Sequence, residues 1–140
     1  MRALLIPLVL LAGAAFQANS VTVTLVVRNV RRNGGTVYVA VFESAEAYRK
    51  ERIFASLKLA PEADTLRGNL ELPPGDYLFS LFQDRNGNGK LDMNFLGIPR
   101  EAFGMSNYDG RSIPGGFDRH KTRIDDKTRL VEIGLVEFLR

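Results

Sequence analysis

The residue types with the clearest chemical spacing are Asp84, Asn86, Asn88, Gly89, Lys90 and Asp92. They lie in the run Asp-Arg-Asn-Gly-Asn-Gly-Lys-Leu-Asp, which fits the first nine positions of the calcium-loop pattern D-x-[DN]-x-[DN]-G. Oxygen side chains at alternate positions converge when the backbone curls, glycine at the sixth permits the sharp turn, and the seventh residue gives its carbonyl. On that spacing Asp84, Asn86 and Asn88 offer side-chain oxygens to Ca2+, Lys90 its main-chain carbonyl, and Asp92 the ninth-position ligand. The twelfth position, a bidentate glutamate in an EF-hand, is Phe95, and the residues ahead of the loop read as a strand. Both departures argue against an EF-hand. Glu101 and Asp109 are the nearest carboxylates available to replace the absent ligand. The same run also makes a wide turn on two Asn-Gly steps that needs no metal, and spacing leaves both readings open. With so few carboxylates, calcium binding would fall in the weak range of extracellular modules, about 10⁻⁴ to 10⁻³ M.

Other chemistries find less support. The chain has no Cys and one His, which excludes disulfide scaffolds, iron–sulfur centres, cysteine nucleophiles and the common structural zinc sites. A triad would have to use His120, which sits among Asp118, Arg119, Lys121 and Arg123 and reads as part of a solvated edge strand. There is no G-x-S-x-G, P-loop or dinucleotide fingerprint, and Ser106 and Ser112 have unremarkable surroundings. The competing catalytic reading is a periplasmic hydrolase working through the loop carboxylates Asp92, Glu101 and Asp109. Arg28, Arg31 and Arg32 read as a solvated turn. Phe95, Phe103, Tyr108 and Phe117 are expected to fold the loop back as a satellite core, with a ligand surface as the other option.

These residues need a scaffold, and the rest of the chain supplies strands. Val21, Val23, Leu25 and Val27 alternate with Thr22, Thr24 and Arg28, the period of a strand with one buried face. Asn33-Gly34-Gly35 then reads as a hairpin turn into a second strand over 36–43. Ser44 caps a short helix over 45–52, and further strands are expected over 56–60, 66–72, 76–83, 119–124 and 129–138. Pro73-Pro74-Gly75 reads as a turn with Gly75 left-handed, and Asp125-Asp126-Lys127 as the last turn. About seven strands at this spacing predict an all-β antiparallel sandwich, with Val23, Leu25, Val39, Val41, Tyr77, Phe79, Leu81, Val131 and Ile133 in its core. Residues 84–117 lack periodicity. A loop of that length in a small domain points to function.

The first twenty residues have the parts of an export signal: Arg2, an apolar run over 3–12, and small residues at 12–15 and 18–20. The run is short of the roughly 20 residues that span a bilayer. The predicted mature domain is 21–140, periplasmic or secreted, with no stable membrane insertion once the signal is removed. Its charge, 18 Lys+Arg after loss of Arg2 against 16 Asp+Glu, is too slight to imply nucleic acid or an anionic membrane.

Leu72-Pro73-Pro74-Gly75-Asp76-Tyr77, the 84–92 run, Gly97-Ile98-Pro99-Arg100-Glu101 and Gly104-Met105-Ser106-Asn107 together resemble a bacterial family of small exported proteins, a domain of unknown function. The resemblance implies export and a transthyretin-like or immunoglobulin-like sandwich. It implies no activity. The resulting expectation is an exported, non-catalytic binding module whose partner is an unidentified cell-envelope protein or ligand, with Ca2+ as the one cofactor indicated.

Overall fold

The Val/Leu–Thr alternation forms β1 (Val21–Arg28), with Val23, Leu25 and Val27 fully buried. A computed structural model describes residues 19–138. The expected leader therefore falls almost wholly outside the described residues. After β1 come β2 (Val37–Phe42), α1 (Ala45–Arg49), β3 (Ala55–Leu59), β4 (Leu66–Leu72) and β5 (Gly75–Gln83). They are followed by β6 (Phe103–Met105), α2 (Phe117–His120), β7 (Thr122–Ile124) and β8 (Leu130–Gly134). The domain is mostly β as expected, with β6 added to the anticipated strands. Ser44 caps α1, its Oγ accepting the Ala47 N–H at 3.0 Å.

Two sheets share the core. One has the order β4-β1-β8, with β1 antiparallel to β4 and parallel to β8. The other runs β3-β2-β5-β6, with β7 also paired to β5. Val23 and Leu25 from β1, Val39 and Val41 from β2, and Phe79 from β5 meet in one cluster. Of the core residues expected from sequence, only Val131 is not buried, and it packs against the same cluster.

The connections differ from the sequence reading. The hairpin of β1 with β2 does not form, because β1 is central in its own sheet and both its ladders are taken by β4 and β8. Residues 29–36 instead carry the chain to the opposite sheet. Their backbone is satisfied elsewhere, Val30 N–H donating to the Asp64 carbonyl and Asn33 N–H to the Pro61 carbonyl, each at 2.9 Å. The fully buried Gln83 closes the crossover: its Nε2 donates to the Arg31 carbonyl at 2.7 Å and its Oε1 accepts the Arg31 N–H at 2.9 Å. Gly35 has φ +108°, and a Cβ there would lie 1.8 Å from the Asp84 carbonyl oxygen, so no other residue fits that approach.

The 119–124 stretch is likewise not one strand. Its first residues end α2, β7 pairs β5, and β8 joins β1 in the other sheet, so the turn at 125–128 is a second crossover. Gly75 is outside the left-handed region and opens β5 opposite Ile124.

Candidate cation site in the loop after β5

Strand β5 delivers Asp84 to the end of its sheet, where its N–H donates to the Thr36 carbonyl at 2.9 Å. The side chain is buried. Its Oδ2 accepts the Gly89 N–H at 2.8 Å, while Oδ1 is buried with no hydrogen-bond partner. Gly89 has φ +73°, the left-handed turn that the sixth loop position requires.

Glu101 returns to the same loop from the far side and is only 4% exposed. Its Oε2 accepts the Arg85 N–H at 2.6 Å and its Oε1 the Asp92 N–H at 3.2 Å. Burial pushes the Glu101 carboxyl above the usual carboxylate range, against the pull of those two N–H donors. The Asp92 carboxyl is held below its usual value by the amides of Asn88 and Asn86. Asn86 Nδ2 donates to Asp92 Oδ2 at 2.6 Å and Asn88 Nδ2 to Asp92 Oδ1 at 2.9 Å. The amide oxygens face the backbone: Asn86 Oδ1 accepts the Asn88 N–H at 3.2 Å, and Asn88 Oδ1 the Lys90 N–H at 3.0 Å.

All five residues of the sequence motif thus sit in one hydrogen-bonded loop, but of the Asp84 and Asp92 carboxylate oxygens only Asp84 Oδ1 is free of hydrogen bonds, because both Asp92 oxygens accept from the amides of Asn86 and Asn88. A cation would need Asn86 and Asn88 to rotate their amides. Among the described residues no three of His, Cys, Asp and Glu form a ready-made metal group, and no described ion pair includes Asp84, Asp92 or Glu101. Of the two spare carboxylates noted in the sequence, Glu101 reaches the loop. Asp109 instead caps its own turn at the Arg111 N–H and lines a separate cavity of about 350 Å³ with Tyr108, Arg119 and His120.

His120 is not on a solvated edge. It is 2% exposed, with Nδ1 3.0 Å from the Asn107 carbonyl and Nε2 accepting the Gly115 N–H at 2.9 Å. Those partners require the tautomer protonated at Nδ1. Ser106, unremarkable in sequence, is buried beside it. Its Oγ donates to the His120 carbonyl at 2.6 Å, not to the imidazole, and accepts the Phe79 N–H at 3.0 Å. The pair ties α2 and β6 to β5. Gln83 and Ser106 were missed because a polar residue bonded to distant backbone leaves no local pattern.

Three of the four loop aromatics fold back. Phe103 and Phe117 are buried and Tyr108 is half-buried, its ring 5.7 Å from that of Phe103. Phe95 does the opposite, at 94% exposed.

A small two-sheet β domain whose loop after β5 buries a carboxylate with one unpartnered oxygen is the class that fold and site define. The chain belongs to the bacterial family DUF2141, described as an uncharacterized protein conserved in bacteria, whose family model matches residues 25–132. That span runs from β1 into β8. No curated protein and no solved structure matches the chain.

Proposed function

We propose that this protein is an exported, non-catalytic binding module of the bacterial envelope, periplasmic or secreted, with a transthyretin-like or immunoglobulin-like sandwich and a weak calcium site over residues 84–101. Support for export comes from the charged, apolar and small-residue order of the first twenty residues. No helix among the described residues is long and apolar enough to cross a membrane. Two facing sheets over a shared core support the sandwich.

The observation that carries the calcium site is Asp84 Oδ1, a buried carboxylate oxygen with no partner in a loop that also holds Asp92 and Glu101. An unpaired buried carboxylate oxygen is costly to leave bare, and a bound cation offsets that cost. Calcium suits the oxygen set and the loop's irregular geometry better than magnesium, which demands a near-ideal octahedron at shorter distances. The structural part assigned to the ion is to brace the long loop against the end of the sheet.

Thermal melts of the purified domain test this. At calcium ten times its dissociation constant, mass action gives about 1.4 kcal/mol of stabilisation, from RT ln 11. In a domain of this size the melting temperature should rise by several degrees, and protease cleavage within 84–117 should slow. Asp92→Ala should abolish the calcium-dependent part, and magnesium should substitute poorly. A wild-type protein whose melting and proteolysis ignore millimolar calcium has only a turn there.

A further inference from the structure

The segment that follows the carboxylates is a miniature hairpin. Arg100 N–H donates to the Asp92 carbonyl at 2.8 Å, Met93 and Pro99 form an antiparallel bridge, and Asn94 N–H donates to the Ile98 carbonyl at 2.9 Å. Its tip is closed by Gly97 N–H to the Asn94 carbonyl at 3.0 Å. Asn94 Oδ1 also accepts the Leu96 and Ile98 N–H groups at 2.9 and 3.0 Å. So dense a set of bonds fixes what the tip displays, and it displays apolar side chains: Phe95 is 94% exposed, Leu96 67% and Met93 51%. Isolated surface leucines need no explanation, but adjacent Phe and Leu held out on a bonded turn do.

We propose that hairpin 92–100 is a docking finger for an anionic phospholipid surface, with Phe95 and Leu96 entering the boundary between headgroups and acyl chains. This deepens the binding-module reading above by naming a partner, and it rests on the export that reading assumes. Three features favour lipid over a protein partner. The apolar group protrudes, whereas a stable protein interface needs about 800 Å² per side from some 20–30 residues. A side chain on a narrow tip can reach the depth of roughly 5–10 Å at which interfacial anchors sit. Exposed Lys90 and Arg100 flank the hairpin, the charge that anionic headgroups attract. The slight net charge of the whole chain does not bear on so local a group.

The finger is also joined to the proposed cation site. Its first residue, Asp92, donates its N–H to Glu101 and holds the amides of Asn86 and Asn88. A divalent ion at Asp84, Asp92 and Glu101 would cancel carboxylate charge beside the tip, leave Lys90 and Arg100 less opposed, and fix the hairpin's base. Calcium should therefore strengthen lipid binding without being the anchor.

The chain has no Trp, so Phe95→Trp places a single indole reporter at the tip. The test uses protein lacking residues 1–18, since the eight strands described above and the core they share lie within 19–138 and the proposed apolar leader would itself bind lipid. Vesicles of phosphatidylcholine, alone or mixed with phosphatidylglycerol, are titrated with and without calcium. Phe95→Trp emission should shift to the blue with the mixed vesicles, and salt should weaken the effect. Sedimentation with the same vesicles should fall roughly tenfold or more for Phe95→Ser/Leu96→Ser, at an unchanged melting temperature. Wild-type protein that ignores anionic vesicles overturns the finger, as does equal sedimentation of the tip variant. A tip shielded by an envelope protein while vesicles leave it free overturns it too. A calcium-dependent melting shift without lipid binding would sink the finger alone; lipid binding without that shift would sink the calcium site and spare the finger.

Discussion

Asp84 carries two unlike oxygens. One holds the Gly89 N–H, and the other is buried and bare. Asp84→Asn separates a cation ligand from a turn residue because it keeps the first bond and removes the charge. In calcium-free buffer the variant should melt at the wild-type temperature or slightly above, since an unpaired buried charge has been removed. With calcium at ten times the wild-type dissociation constant it should gain little of the roughly 1.4 kcal/mol given to wild type. Equal calcium responses in the two proteins would remove Asp84 from the ligand set. At this scale the sequence was legible where neighbours in the chain are neighbours in space: the Ser44 cap and the turn at Gly89 follow from local spacing. It was not legible for His120, whose charged neighbours suggest an exposed edge although the ring is enclosed between Asn107 and Gly115. Those partners come from a segment whose own course depends on packing, not on period.

Most strands were legible as elements, β1, β2 and β4 by a period of two, whereas the short, wholly buried β6 has no such pattern and was not. Their partners were not, because two apolar-faced strands with a glycine-rich link satisfy a hairpin and a sheet crossover equally well in one dimension. The turn at 125–128, expected as a link between neighbouring strands, is such a crossover between β7 and β8. It is organised by Asp125, whose Oδ1 accepts the Lys127 N–H at 2.9 Å and the Thr128 hydroxyl at 3.2 Å. The Lys127 N–H, followed by the Thr128 groups, holds the Asp125 carboxyl below its usual value. A carboxyl with a depressed folded pKa stabilises the protein above its unfolded value, near 4, and that contribution is lost as pH falls toward the folded value. Asp125→Asn should therefore melt below wild type at neutral pH, and the gap should narrow as the buffer is acidified below about pH 4. A gap independent of pH would mean that the side chain acts by shape alone.

Across the whole molecule, the unusual feature is that the first strand lies between the fourth and the last, antiparallel to one and parallel to the other, so that distant parts of the chain must meet before that sheet exists. Gln83 then locks the crossover from β1 to β2, and residues 135–136 leave β8 to meet Phe103 in the opposite sheet, Val136 exchanging both backbone bonds with it. The frame is closed by strand pairing and by Gln83, and residues 84–101 lie outside all eight strands. It also gives a decisive test of topology. Thr24 and Asn69 are opposite each other on β1 and β4, their side chains hydrogen-bonded at 3.0 Å across 45 positions of sequence. The chain has no Cys, so Thr24→Cys/Asn69→Cys introduces a single possible bridge. It should oxidise readily and, by closing so long a loop in the unfolded chain, stabilise by up to about 4 kcal/mol, raising the melting temperature on the order of ten degrees. Were β4 not beside β1, the same two positions would lie on strands with no shared ladder. The thiols would then stay reduced, and mass spectrometry after mild oxidation distinguishes the outcomes without any assumption about function.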